Sequence, residues 1–517
     1  MKHILTYILL LFFFTCFSQV PEPVGDQLEP IVLYNATIHV GNGEVITDGY
    51  IAFTVGKITH VGNNYSSLES LFTSHKKIDV SNKNIYPGLI LPNSKVGLED
   101  VSAVRATVDH TELGDINSNI RSLIAYNTDS EMIATYRYNG ILISQVVPDG
   151  DLITGNSSIM MMEGWNWEDA AYKIDDGIHI NWPTKVYPPN PWRGSTDFKE
   201  NPDYSKIIDK LNKFLIDSKS YYESNNRTIN LKLDAMKGVF SGSKKIFIHA
   251  NTREQIIESV QTFKKYGINN LVLVGVNDAF YVIDFIKENN LPVLLNNLHR
   301  VPSRNHADVD LPYKLPNILH KEGILVGLTA SGSLHGSRNL PFLAGTAAGY
   351  GLGKNVALKM ITLNTAKILG IDDITGSLEV GKDATLFISQ GALANMSPVG
   401  LWKTIDEDTN EAKSYVRITQ NDKVLSGKVE TILDPAKQTG ICKECDGALK
   451  NQPILGMTII TDVKPEDDGV WGDGEILDPT NGKTYTVQLT PQNDGKTLEV
   501  RGYIGFFYRN QYWQRVE

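Results

Sequence analysis

A chain of 517 residues is too long for one ordinary hydrophobic core, and 41% apolar with 21% charged residues excludes a mostly disordered protein. A formal charge of -10 argues against a nucleic-acid partner. The chain has 3 cysteines, one of them Cys16 near the start, so it is no disulfide-stapled scaffold and its stability must come from burial.

Residues 1–18 read as a signal peptide: Lys2 gives a positive start, Ile4 to Phe17 is almost wholly apolar, and Cys16 and Ser18 are the small residues before a cut at Gln19. The protein is therefore expected to be exported, periplasmic or extracellular. A lipoprotein signal on Cys16 is the weaker alternative, because Phe14 and Thr15 precede that cysteine poorly. No other apolar run is long enough to span a bilayer, so no transmembrane span is expected.

From residue 30 to 85 the chain offers short strands, among them Ile31 to Tyr34, Tyr50 to Thr54 and Ile58 to Val61, with turns at Gly41 to Gly43 and at Gly56. Residues 86–370 then alternate apolar runs with helical segments, the pattern of parallel strands joined by crossover helices. The runs include Ile85 to Leu91, Ile141 to Val147, Ile246 to His249, Leu271 to Val274, Pro292 to Leu295 and Ile324 to Leu328. Two more strands are expected between Gly150 and Trp182. The polar stretch Thr154-Gly155-Asn156-Ser157-Ser158 reads as a turn, and Asn251 with Glu254 as a helix cap ahead of Ile256, Ile257, Val260 and Phe263. Composition shifts again at Ala394 to Ser397. Beyond it Tyr485, Val487 and Leu489 alternate with Thr484, Thr486 and Gln488, and Leu498, Val500 and Ile504 with Glu499, Arg501 and Tyr503, as in an antiparallel meander with turns at Asn481-Gly482 and Asp494-Gly495.

Tyr86-Pro87-Gly88-Leu89-Ile90 resembles the end of the first barrel strand of the amidohydrolase superfamily. The run Thr362 to Gly370, followed by Gly376-Ser377-Leu378-Glu379-Val380-Gly381-Lys382-Asp383-Ala384, resembles its closing signature. In physical terms Gly376 and Gly381 are expected to bracket a short strand. The resemblance covers about residues 30–390, is nearest the imidazolonepropionase-like branch, and implies an α/β fold. That fold is a (β/α)8 TIM-like barrel over 86–370 with its site at the strands' C-terminal ends, beside a small β-domain of residues 30–85 plus 371–392. It further implies a hydrolase of carbon-nitrogen bonds other than ordinary peptide bonds, with zinc as the implied cofactor.

The ligand positions depart from that pattern. Where the superfamily has a His-x-His pair this chain has Asn93 and Lys95; at the sixth strand it has Val274-Gly275, and at the eighth Thr329-Ala330-Ser331, so Ala330 stands where an aspartate is usual. His249, on the fifth strand, is the one retained candidate metal ligand, against the plainer reading of a satisfied histidine left in a remodelled pocket. An ammonium repels a cation and an amide binds zinc poorly, while a catalytic zinc takes about three protein ligands. His299, His306, His320 and His335, with Asp308 and Asp310, are the candidates for a rebuilt site, though none has helix-face ligand spacing. Lys95 can pair with a carboxylate, Asp278 being the candidate, or bind a ligand's carboxylate. Arg300 and Arg304 with His299, and separately Arg105 and Arg121, are candidate anion clamps, against the plainer reading of surface arginines.

Pro398-Val399-Gly400-Leu401-Trp402, Cys442-Lys443-Glu444-Cys445-Asp446-Gly447, Val500-Arg501-Gly502-Tyr503 and Tyr512-Trp513-Gln514-Arg515-Val516 resemble the domain-of-unknown-function family 2147 over residues 397–517. That resemblance implies an all-β, lipocalin-like barrel, either holding a small apolar ligand or filled with side chains, with the first-strand tryptophan plugging one end. Cys442 and Cys445 leave open a disulfide, half of a metal site, or a redox pair, with a disulfide favoured outside the cytoplasm. Two functions stand side by side: a metal-assisted hydrolase, or a catalytically inactive exported binding or scaffold protein with a ligand-binding C-terminal β-barrel. A small-molecule ligand, an active paralogue and a homo-oligomeric copy are the partners these readings suggest.

Overall fold

The computed structural model describes residues 23–189, 196–224, 228–302, 304, 306–330, 334–389, 398–405, 411–421, 424–465, 470–492, 497–504 and 507–516. The signal peptide, the composition shift at Ala394 to Ser397, Ser331 and the Asp494-Gly495 turn lie outside the described residues. No helix among them is long and apolar enough to cross a membrane. The chain divides into two compact units, one of Met1–Asn297, Leu325–Asn339 and Ile361–Phe387, the other of Leu298–Ile324, Leu340–Met360 and Ile388–Glu517.

The first unit begins with strands β1 (Ile31–His39), β2 (Val45–Thr54), β3 (Lys57–Asn63), β4 (Lys76–Asp79) and β5 (Asn84–Pro87). They form a sheet ordered β16-β5-β1-β2-β3, in which β4 also pairs with β1 and β16 is Leu386–Ser389. The β-branched and leucine side chains Leu33, Ile38, Ile51, Ile58, Ile85 and Leu378 supply its core. Gly376 and Gly381 both adopt left-handed φ, of 89° and 91°. The segment between them is an irregular turn rather than the expected strand, since Leu378 spends its N–H on the Val40 carbonyl instead of joining a ladder.

The barrel comprises β6 (Leu89–Ser94), β7 (Ile141–Val146), β8 (Ile153–Met161), β9 (Ala171–Asn181), β12 (Lys245–Ala250), β13 (Leu271–Gly275), β14 (Val293–Asn296) and β15 (Val326–Thr329). A two-stranded ribbon, β10 (Val186–Tyr187) with β11 (Lys199–Glu200), stands apart from it. The sheet runs β15-β14-β13-β12-β9-β8-β7-β6, and the Thr329 hydroxyl donates to the Pro92 carbonyl at 2.6 Å, from β15 to β6. It is a TIM-like barrel with one reversed strand: β8 is antiparallel to both β7 and β9, and every other pair is parallel. The all-parallel expectation fails there because residues 147–152 and 162–170 are too short for a crossover, which needs a dozen or more residues. Thr154 to Ser158 is likewise no turn; it lies inside β8, wholly buried.

Ile90, Ile143, Ile159, Phe247, Val272, Val274 and Leu294 pack into one cluster with Ala366, Ile368 and Leu369 of the helix Leu363–Leu369. The Lys173 ammonium donates to the Leu369 carbonyl at 2.8 Å and Lys245 to that of Ile368, so two cations cap the orphan carbonyls at this helix's negative end. Burial, followed by the nearby Lys173, pushes Lys245 down to about 8. The helix Arg253–Lys265 starts one residue later than expected: its capping box is Thr252 with Gln255, not Asn251 with Glu254.

In the second unit β17 (Gly400–Ile405), β18 (Ala412–Asn421), β19 (Val424–Ile432), β20 (Thr458–Pro465), β21 (Trp471–Asp478), β22 (Lys483–Gln492), β23 (Thr497–Ile504) and β24 (Phe507–Arg515) form a closed barrel. Trp402, Ile418, Leu425, Ile460, Val463, Leu489, Leu498 and Trp513 fill one continuous core. Trp402 donates its indole N–H to the Pro398 carbonyl at 2.6 Å, and the Arg515 guanidinium lies 4.2 Å from its ring centre while donating to Val399. A disulfide joins Cys442 to Cys445, both buried in that core, within the segment connecting β19 to β20.

Candidate functional site

The C-terminal ends of the forward strands form the rim on which the candidate site residues fall. Asn93 takes a left-handed φ of 54° near the end of β6, which turns its backbone N–H to the Gln145 side-chain carbonyl at 3.1 Å. Lys95 follows, and the carboxylate paired with it is Asp149, just beyond β7. Asp278, the expected partner, instead receives the Arg253 N–H at 3.3 Å, because it sits at the start of the helix Arg253–Lys265. Burial pushes the Asp149 carboxyl up, but the Lys95 hydrogen bond and charge outweigh it and hold it below the usual value. Ala330, just past β15, is buried and offers only a methyl group.

His249 belongs to a buried polar chain inside the barrel. Gln145 Nε2 donates to Asp176 at 3.0 Å and approaches Ser157 Oγ at 3.2 Å; Ser157 donates to the other Asp176 oxygen at 2.6 Å. His179 Nε2 lies 2.9 Å from Ser157 Oγ, and His179 Nδ1 lies 2.9 Å from His249 Nε2. With Asp176 ionised, these contacts fix the protons. Asn93 commits the Gln145 carbonyl, so its amide nitrogen must donate; Ser157 gives its proton to Asp176 and must accept from His179 Nε2. His179 Nδ1 is then the acceptor, His249 donates from Nε2, and the His249 lone pair resides on Nδ1.

Burial lowers His179 well below the ordinary imidazole value, with the His249 charge adding to it, and burial, opposed by the Asp149 charge, pushes His249 down to about 4. Both rings are neutral at pH 7. Burial pushes Asp176 up, opposed by its bonds to Ser157 and Gln145 and by Lys173 and Lys245. Phe247 stacks on His179 at 4.5 Å, fixing the plane of the ring.

Gln145, Asp176 and His179 carry no motif in the sequence, and Ser157 stands out there only as part of a polar turn. The available signal was an uncharged amide inside the apolar run Ile141 to Val147, and the charged pair Asp175-Asp176 inside a β-rich run, since polar groups at such positions need buried partners.

The remaining candidates are held elsewhere. His299 bonds Thr346 at 2.7 Å, Arg300 donates to the Val301 carbonyl at 3.2 Å, and Arg304 is half-buried. Arg121 grips Asp175 at 2.9 Å and Arg105 donates to the Val108 carbonyl at 2.7 Å. His306, His320 and His335 are exposed. Among the described residues no three His, Cys, Asp or Glu side chains converge as a metal site requires. Zinc does not fit the donors at the rim: Asn93 presents an amide, Lys95 an ammonium already paired with Asp149, Ala330 nothing, and His249 a single nitrogen.

Residues 311–427 match the model of the amidohydrolase family, and residues 400–515 that of an uncharacterized protein family conserved in bacteria, DUF2147. No curated protein matches significantly. Among solved structures, an amidohydrolase from Thermotoga maritima superposes with a TM-score of 0.62 at 22% identity, covering 70% of this chain and 94% of that one. A lipocalin-family protein of Helicobacter pylori gives 0.22 at 18%, covering 24% and 85%, and a zinc-bound adenosine deaminase of Xanthomonas campestris gives 0.38 at 13%, covering 71% and 85%. These matches name no branch of the amidohydrolases. The chain thus resembles two families in tandem, an amidohydrolase-like TIM barrel with its flanking sheet followed by a DUF2147 β-barrel.

Proposed function

We propose that this amidohydrolase-like chain is an exported binding or scaffold protein, whose barrel has given up the metal-hydroxide hydrolysis of carbon-nitrogen bonds that its family resemblance implies. The observation that supports this most is the fate of the inherited positions: Lys95 carries a cation tied to Asp149, and His249 is bonded through Nε2 into the relay ending at Asp176. A second cation at that rim would face the Lys95 charge with one imidazole nitrogen to hold it. What the rim keeps is a half-exposed ion pair, suited to a small polar ligand. The silent barrel's natural partners are an active relative or a second copy.

Elemental analysis of the purified full chain, after dialysis against trace zinc, tests this reading. The expected result is well below one metal per chain, with no turnover of a panel of cyclic amides and dipeptides. Near-stoichiometric zinc that is lost in His249→Ala, together with amide hydrolysis, would restore the hydrolase.

A further inference from the structure

The outer face of β22, β23 and β24 carries two exposed tyrosines, Tyr508 and Tyr512. Register places Gln488, Arg501 and Asn510 in one row across the three strands, Tyr503 beside Tyr508 on one side of it, and Glu499 beside Tyr512 on the other. Val487, Leu489, Leu498, Val500 and Trp513 point the opposite way into the core, so alternation puts the first set on the outer face, where Glu499 is nonetheless buried among its neighbours. Tyr508 is 62% exposed and Tyr512 51%. Four residues apart on one strand, their Cα atoms stand about 13 Å from each other.

The polar groups between the rings are held in place. Arg501 donates to Asn510 Oδ1 at 2.8 Å and to Glu499 at 2.6 Å, and its guanidinium lies 4.7 Å from the Tyr508 ring centre. Tyr503 donates to Gln488 at 3.1 Å, and its ring lies 6.1 Å from that of Tyr508. The core does not require two phenol rings in water here. Rigid, amphipathic rings give contact area at low entropic cost, and fixed amide and guanidinium groups lower the cost of binding.

We propose that this face binds a neutral oligosaccharide. The C–H faces of pyranose rings pack on Tyr508 and Tyr512, and the intervening row engages the hydroxyls. Charge selects this occupant: Arg501 and Glu499 neutralise each other, leaving the face without net charge, while the chain's overall charge of -10 disfavours an anionic polymer.

The test is isothermal titration of the full chain with cellotetraose, chitotetraose, xylotetraose and mannotetraose. At least one should bind, with little change on raising the salt, and lose about tenfold or more in affinity in Tyr508→Ala and in Tyr512→Ala. Tyr508→Phe, which keeps the ring, should retain most of the binding, and unchanged circular dichroism guards against misfolding. No binding by any of the four sugars, or binding that survives the double alanine variant, overturns the proposal. So does a concentration-dependent dimer abolished by Tyr508→Ala, which would make the face a protein contact.

Discussion

Ser157→Ala tests the buried relay directly. The hydroxyl donates to the Asp176 carboxyl at 2.6 Å and accepts from His179 at 2.9 Å, with every group wholly buried. Its removal takes away a bond to a carboxyl that burial already disfavours as an anion, worth about 1.5–3 kcal/mol, and strands a ring N–H, costing about 1–3 kcal/mol more. The barrel should lose at least ~2.5 kcal/mol, the low end of that sum. For a domain of 150–250 residues 1 kcal/mol shifts the midpoint by about 2–4 °C, which makes ~2.5 kcal/mol a fall of about 5–10 °C, less for a barrel this large. A chain of two units need not unfold in one step, so hydrogen exchange of peptides from β7, β8, β9 and β12 should accompany the melt. A loss below ~1 kcal/mol, with unchanged protection in those strands, would mean that the hydroxyl does not hold the relay together.

Acid should weaken the barrel before it touches most carboxylates. His179 and His249 are both held below their unfolded value, so the unfolded chain takes up protons that the folded barrel refuses. Stability therefore falls as pH drops from about 6.5 to about 4, by up to ~1.4 kcal/mol per unit for each ring, with raised Asp176 offsetting part of the loss at the acid end; a flat denaturation profile between pH 7.5 and 5 would contradict this. Lys95→Met removes an ion pair whose side chains are 39% and 43% exposed, so it should cost no more than ~1 kcal/mol by chemical denaturation. Trp402→Ala, at a fully buried site, should cost about 3–5 kcal/mol and shift the C-terminal barrel's transition alone. Gly482→Ala would push a Cβ to 2.0 Å from the Glu444 carbonyl oxygen at a φ of +70°, so the disulfide loop must move, seen as faster exchange across residues 440–446.

Much of the architecture was legible in the residues. Apolar runs separated by helical segments marked out the TIM-like barrel, and strict alternation in Tyr485 to Leu489 and Leu498 to Val500 marked the second barrel, because hydrophobic period follows directly from which faces are buried. Pairing direction was not legible. Thr154 to Ser158 is polar and looks like a turn, yet it is a buried strand, because its hydroxyls and amide find partners on distant segments: Ser157 on Asp176, Asn156 on the Ser118 carbonyl. The sequence by itself determined that Asn93, Lys95 and Ala330 carry an amide, an ammonium and a methyl group, since that is a matter of side-chain chemistry. Only the tertiary structure decided which groups meet them and their neighbours. Asp149, not Asp278, faces Lys95, and His249 leans on His179 70 residues away, because such partners meet through strand register and not through any local pattern.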